Sequence, residues 1–495
     1  MSQKSVFHGA ILTVTMRWSD RLIGLISMVV LARLLTPADF GIIAMASVVV
    51  GLIDVLLDLG VNIALIHNQK ADREDYDTAW TLRLCQAALV GIVIFFGAPL
   101  AADYYNNPLV TDVLRVMAFS ILIAGLENIG IVAFQKNMEF SKDFQFFFFK
   151  RVAGFVATLT AAFLLHTYWA MVIGALSGRV VGVLLSYKMH AHRPRFSFSR
   201  LRHIWSFSQW VLIRNIGVYL DSRTDKLIVG GRTDAGTTGA YAVADEIAAM
   251  PTTDLLAPLG RVLFPAFVQK RDDPQAFARS VSIAIGVQAL VAIPACVGLA
   301  LLASDAVHVL LGAKWGQAVP FIQIMAFTNL LLALVHSGGY ALLALGKVKM
   351  LAFVTWLQAV LFLGAAIALF PQLGAVDLAT IRLLVVAAGS LVLVGIVLTQ
   401  ISALSPRAFF MPMLRPLLAS GAMALLLIQL HPLLAGVAPL IRLLAEAVSG
   451  GLVYISGMAI MWLLARRPDG AEAYLLKNIL RMRQQSNEQP DSTQI

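Results

Sequence analysis

The sequence predicts an all-α, polytopic membrane protein of about 14 transmembrane helices, and three observations carry that expectation. Hydrophobic residues make up 59% of the 495 and charged residues only 13%, with a mean hydropathy of +0.79. The apolar stretches run for about 20 residues between Gly and Pro interruptions, which suits bilayer-crossing helices and not the roughly 10-residue alternation of an outer-membrane barrel. Lys and Arg gather in alternate connecting segments.

Taken in order, the expected spans are 10–34, 40–66, 80–101, 113–134, 147–165, 168–187, 204–230, 238–265, 280–303, 320–344, 351–370, 381–401, 412–431 and 440–464. The first apolar stretch lacks a small-residue cleavage site and runs straight into further spans, so it reads as the first helix and not as a cleaved signal. LLHTYW (164–169) reads as a tight hairpin, because without a break there one apolar helix of about 40 residues would be required. A Gly pair, a further Gly and Pro251 within 225–254 predict a bend around the seventh and eighth spans. AEAYLLKNILRMRQQ (471–485) reads either as a short amphipathic helix at the membrane surface or as a solvated tail.

Orientation follows from charge. Twenty-four Lys and Arg, from Lys4 through Lys136 and Arg200 to Arg483, fall on one set of loops and the tail, against only Arg232 and Lys314 on the other. This asymmetry predicts an even number of spans with both termini cytoplasmic. It also accounts for the net charge of +10 without nucleic acid. No loop exceeds about 20 residues, which leaves no room for a soluble catalytic domain, so a non-enzyme is expected. Cys85 and Cys296 both lie within apolar spans, against a disulfide framework or a thiolate-bound metal; no cofactor or metal is expected.

The chain repeats itself weakly. GIIAMA (41–46) matches GAYAVA (239–244), QKAD (69–72) matches QKRD (269–272), and RVMAFS (115–120) matches QIMAFT (323–328), in the same order at offsets of 198, 200 and 208. The expected organisation is an N-terminal six-helix lobe (1–190), a C-terminal six-helix lobe (204–401), two additional transmembrane helices (412–464) and a cytoplasmic tail (465–495). An even number of spans per lobe gives both the same orientation, with substrate expected between them.

Ionisable residues inside the spans are the candidate site, because each is costly in hydrocarbon and calls for water or a partner. Arg17 and Arg21 share a face of the first helix, and Arg223 and Lys226 share a face of the seventh, with Arg214 further toward the cytoplasm. Asp54 and Asp58 lie at depths similar to Arg21 and Arg17, Asp245 and Glu246 are level with Lys226 and Arg223, and Glu127 is level with Arg179. One reading is structural pairing; the other is a wet, charged passage in which Arg17, Arg21, Arg214, Arg223 and Lys226 attract a phosphate-bearing substrate. On the second reading Asp54, Asp58, Asp221 and Asp245 serve ion coupling or pairing. Arg33, Arg83, Arg115, Arg261 and Arg442 sit near helix ends, where snorkelling suffices. His166, His308 and His431 read as scattered interfacial side chains.

ARLLTPADFGIIAMA (32–46) followed by DLGVNIALIHNQKADREDYDTAW (58–80) resembles the N-terminal signature of the polysaccharide transporter family. These are the Wzx-type flippases of the multidrug/oligosaccharidyl-lipid/polysaccharide exporter superfamily. The resemblance implies two six-helix lobes around a central cavity, and movement of undecaprenyl-diphosphate-linked oligosaccharide across the bacterial inner membrane by alternating access. It implies lipid-linked oligosaccharide and membrane lipid as partners, with polysaccharide polymerase and export machinery as further candidates. A cation-coupled multidrug antiporter of the same superfamily is the nearest rival. A membrane-embedded polysaccharide polymerase or ligase is the second.

Overall fold

The computed structural model describes the backbone of residues 3–57, 65, 71–137, 139–254, 263–369, 374–466 and 470–474; within these, the side chains of 3–14, 17, 57, 202–214, 218 and 253–254 lie outside the description. Among the described residues, helices joined by turns and short extended segments make up the structure, with no strand. Ten described helices are long and apolar enough to cross a membrane, and a bent pair supplies an eleventh. The chain is a multi-pass membrane protein. It divides into two compact units, residues 1–242 and 243–495.

Unit 1 begins with α1 (Gln3–Leu34) and α2 (Pro37–Leu57). The TPAD run between them is a start signal: Thr36 Oγ1 accepts from the Asp39 amide at 3.3 Å while Asp39 Oδ2 accepts from the Thr36 amide at 2.9 Å, and Pro37 needs no amide partner. Asp39 Oδ1 also accepts from the Tyr168 amide at 3.0 Å, which ties a distant turn to this helix start. α3 (Arg73–Tyr104) opens on a second reciprocal cap between Asp72 and Asp75, and the Asp75 amide holds the Asp72 carboxyl below the usual range.

The expected span 113–134 is not one straight helix. It divides into α4 (Leu109–Gly125) and a second piece, Ile129–Lys136, ending in α5 (Val132–Lys136), inclined at 66°. Asn128 makes the break: its side chain caps the Gly130 amide at 2.9 Å, and its own amide donates to Ser186 Oγ at 2.9 Å. The LLHTYW hairpin is present as three residues between α6 (Phe140–Leu165) and α7 (Trp169–Met189), with His166 in the left-handed region at φ 52°. α6 and α7 approach closely because Gly154, Gly174 and Gly178 line their contact, and a Cβ on Gly174 would overlap Thr158 Oγ1.

α8 (Leu201–Arg232) packs on α2, where Tyr219 Oη donates to the Val48 carbonyl at 2.5 Å. α9 (Ala235–Ala249) ends in a π-helical turn, Met250–Asp254, which contains Pro251. Between α7 and α8 the segment 190–200 is strapped onto the start of α3. Arg195 N donates to Asp77 Oδ1 and Ser197 N to Thr81 Oγ1, each at 3.0 Å, and Asn128 Nδ2 donates to the His192 carbonyl at 2.6 Å.

Unit 2 contains α10 (Pro274–Leu301), the short α11 (Ala303–Leu310), α12 (Ala318–Ala344), α13 (Val348–Ala368), α14 (Ala375–Gln400), α15 (Pro406–Leu433) and α16 (Pro439–Leu464). Its core gathers on α10, α12, α14 and α15 around Phe277, Ile285, Ile293, Cys296, Leu342, Val397 and Phe409. Cys296 is buried in this cluster, whereas Cys85 is exposed, and both thiols are free. One buried polar link crosses the core, Ser337 Oγ donating to Gln288 Oε1 at 2.6 Å. The start of the expected tail helix is described only over 471–474, where Glu472 pairs with Arg415 at 3.0 Å.

Candidate functional site

Within unit 1, α1, α6 and α7 enclose a cavity of 570 Å³. Its walls are largely apolar, with Phe147, Phe155 and Met171, but Lys150, Arg151 and Arg179 also line it against one carboxylate, Asp20. Three cationic side chains thus converge on one cavity, each with an acidic neighbour beside or behind the wall. Small residues make the room. A Cβ on Gly24 of α1 would stand 3.2 Å from Arg151 Nη2, and one on Gly182 of α7 would stand 2.9 Å from Lys150 Cδ.

Each cation has an anionic neighbour. Arg151 Nε lies 2.9 Å from Asp20 Oδ1, with both side chains about half exposed. Glu127, only 4% exposed, accepts from Lys150 Nζ at 2.7 Å, and Arg83 Nη2 lies 3.4 Å from its other oxygen. Arg179 is within electrostatic reach of Asp54 and Glu127, which agrees with the level placement of Glu127 and Arg179 read from the sequence. The Lys150 ammonium also stands 5.4 Å from the centre of the Phe146 ring.

The candidates from the sequence fall into three groups. The side chains of Arg17 and Arg214, and all of Asp58, lie outside the described residues. Arg21 and Asp221 are half-buried, Asp54 and Arg223 are exposed, and Asp245 in unit 2 is half-buried. Lys226 is buried at 8% beside Asp225 at 9%, whose Oδ2 accepts from Tyr241 Oη at 3.1 Å. Among the described charges of α1, Asp20 lines the cavity, and its partner Arg151, like Lys150, borders the basic segment 136–151. The signal that could have found them is FFFFKRVAGF (146–155), two cations followed within one helical turn by the Gly of a close helix contact.

Ionisable groups held inside an all-helical membrane bundle are costly and mark a functional site. The polysaccharide biosynthesis protein family matches residues 30–320, so the chain belongs to that family, the Wzx-type transporters of the multidrug/oligosaccharidyl-lipid/polysaccharide exporter superfamily. Among curated relatives, lipopolysaccharide biosynthesis protein WzxC of Escherichia coli (strain K12) is 26% identical over 62% of this chain and 64% of its own length. Succinoglycan biosynthesis transport protein ExoT of Rhizobium meliloti (strain 1021) is 26% identical over 61% and 62%. The chain thus covers less than two thirds of either. Among solved structures, lipid II flippase MurJ in an inward closed conformation superposes with a TM-score of 0.74 at 14% identity, covering 93% of this chain and 100% of that one. An inward-facing multidrug resistance MATE family transporter gives 0.62 at 14%, covering 79% and 98%. These two likenesses establish the fold.

Proposed function

We propose that the protein is a flippase, not an enzyme, which moves undecaprenyl-diphosphate-linked oligosaccharide from the cytoplasmic to the periplasmic leaflet of the bacterial inner membrane by alternating access. The cargo would be a capsule, exopolysaccharide or O-antigen repeat unit. The observation that carries this reading is the unit 1 cavity, where Lys150, Arg151 and Arg179 converge, two of them guanidinium groups, with Asp20 and Glu127 as their resting partners. A diphosphate brings a compact multiple negative charge, and guanidinium forks meet its oxygens two at a time, so such a cavity favours it over a neutral or cationic solute. The sugar is hydrated and the prenyl chain is not. A polar passage carries the first while the second stays in hydrocarbon.

On this reading the Asp20 and Glu127 pairs hold the cations in position until the diphosphate competes for them. Arg17, Arg21, Arg214, Arg223 and Lys226 remain candidates for further diphosphate contacts, and Asp54, Asp58, Asp221 and Asp245 for ion coupling or structural pairing. The proposed plan keeps 14 spans in two six-helix lobes plus two helices, with both termini cytoplasmic. Polysaccharide polymerase and export machinery are the proposed downstream partners. The relatives named for lipopolysaccharide biosynthesis and succinoglycan transport support the cargo class. The rival antiporter reading shares the fold, and the convergence of three cationic side chains on one cavity weighs against it. Reconstitution into vesicles with fluorescent undecaprenyl-diphosphate oligosaccharide, read by accessibility to an external quencher, tests the proposal: protein-dependent equilibration is expected, and rates equal to empty vesicles would reject it.

A further inference from the structure

Four ionisable side chains far apart in sequence meet in unit 2, where the end of α15 and the start of α16 approach α11. Asp305 of α11 is 3% exposed and Glu446 of α16 is 0% exposed. Arg442, one turn before Glu446, clamps Asp305 with both arms of its fork: Nε donates to Oδ2 at 2.7 Å, and Nη2 donates to Oδ1. His431, in the last turn of α15, places Nδ1 3.0 Å from Glu446 Oε1 and 3.9 Å from Asp305 Oδ2. One ligand atom from each of Asp305, His431 and Glu446 lies within 4.8 Å of the others. The remaining oxygen, Glu446 Oε2, is buried with no hydrogen-bond partner among the described residues.

Two carboxylates against one guanidinium leave one uncompensated negative charge out of water, a costly arrangement unless a cation joins it. A proton on His431 Nδ1 would serve Glu446 Oε1 and leave Oε2 as it is. A metal ion chelated by both oxygens serves the whole carboxylate. A tetrahedral ion about 2.1 Å from nitrogen and oxygen ligands sets them roughly 3.3 Å apart. The two measured separations from Nδ1, 3.0 and 3.9 Å, bracket that spacing.

We propose that Asp305, His431 and Glu446 form a binding site for a divalent transition metal of the zinc class, which staples α11, α15 and α16 together. One imidazole nitrogen with carboxylate oxygens suits zinc, whereas calcium and magnesium favour all-oxygen shells. Arg442 is a positioning residue, orienting Asp305 as an outer-shell partner. His431, with half of its side chain exposed, gives the ion its entry. The sequence reading expected no metal, treating His431 as a lone interfacial residue and Arg442 as a snorkelling one.

The test uses the purified full-length protein, stripped with chelator and dialysed against Zn²⁺, with bound metal counted by mass spectrometry. One zinc per chain is expected, with His431→Ala and Glu446→Gln each weakening binding by 100-fold or more. Arg442→Lys should weaken it about 10- to 100-fold. Co²⁺ in place of Zn²⁺ should give the strong visible bands of a four-coordinate site in the native protein and not in His431→Ala. Because His431 is half exposed, its variant keeps the test open should Glu446→Gln fail to fold. Zinc uptake by His431→Ala equal to that of the native protein overturns the proposal. So does a thermal midpoint indifferent to zinc that follows pH between 5 and 7, since the pair would then hold a proton.

Discussion

Gly41 and Gly239, matched positions 198 residues apart in the internal repeat, press against each other's helix starts. A Cβ on Gly41 would overlap the Ala235 carbonyl oxygen, and a Cβ on Gly239 would overlap the Pro37 carbonyl oxygen. The contact is reciprocal and made of backbone, which cannot yield as a flexible side chain can. Gly41→Ala and Gly239→Ala should each destabilise unit 1 by about 3 kcal/mol. The expected readout is sharply reduced folded protein in detergent, measured by size-exclusion chromatography of a fluorescent fusion.

Between α6 and α7 a graded outcome is expected. A Cβ on Gly174 meets Thr158 Oγ1, whereas the nearest atom to one on Gly178 is the Lys150 carbonyl oxygen at 3.4 Å, ordinary contact. Gly174→Ala should lower the thermal midpoint by several degrees, while Gly178→Ala should leave stability within about 0.5 kcal/mol of the native protein. Equal effects would contradict the packing described.

Glu127 holds Lys150 and Arg83 at once. Glu127→Gln should cost about 1–3 kcal/mol, less than the loss of a fully buried pair, because the two cationic side chains keep 27% and 24% of their surface. Thermal unfolding of the purified variant measures this. Gln keeps the shape, so a wholly unaltered midpoint would mean that the charge at 127 does not organise the cavity.

The strap at 190–200 should respond to pH. Burial holds the His192 imidazole below its ordinary 6.5, outweighing the pull of Asp77 toward protonation; Arg73 and Arg193 also face it and push the same way as burial. The neighbouring His190 is lowered in the same direction, again chiefly by burial. A histidine lowered on folding is bound neutral, so its contribution is complete above 6.5 and is lost as pH falls toward the lowered value. Hydrogen exchange at the Arg195 and Ser197 amides, corrected for its intrinsic rate, should therefore quicken below pH 6.5. Exchange that slows on acidification would contradict the assignment.

The membrane class was legible because apolar runs of bilayer length cannot be disguised, and Thr36, Pro37 and Asp39 announce a helix start by chemistry alone. The hairpin at His166 was legible for the same local reason, and Pro251 falls in the π-helical turn that ends α9. The break at Asn128 was not, since it depends on Ser186 and His192, some 60 residues onward. The cavity was half legible. Asp20 is a charge within an apolar helix, a signal the sequence carries by itself, whereas Lys150 and Arg151 border the basic segment 136–151 and so resemble loop charges. His431 and Arg442 read as an interfacial and a snorkelling residue, since only the folded contacts of α11 with α16 and the end of α15 bring them to Asp305 and Glu446.

The central claim is that the unit 1 cavity engages the diphosphate of a lipid-linked cargo. Its most direct measurement is the initial rate of transbilayer movement of undecaprenyl-diphosphate oligosaccharide in vesicles holding matched amounts of native, Arg151→Gln and Arg179→Gln protein. Loss of one guanidinium contact to phosphate should lower the rate by about tenfold or more in each variant, with unchanged thermal midpoints. Native rates in both folded variants would contradict it.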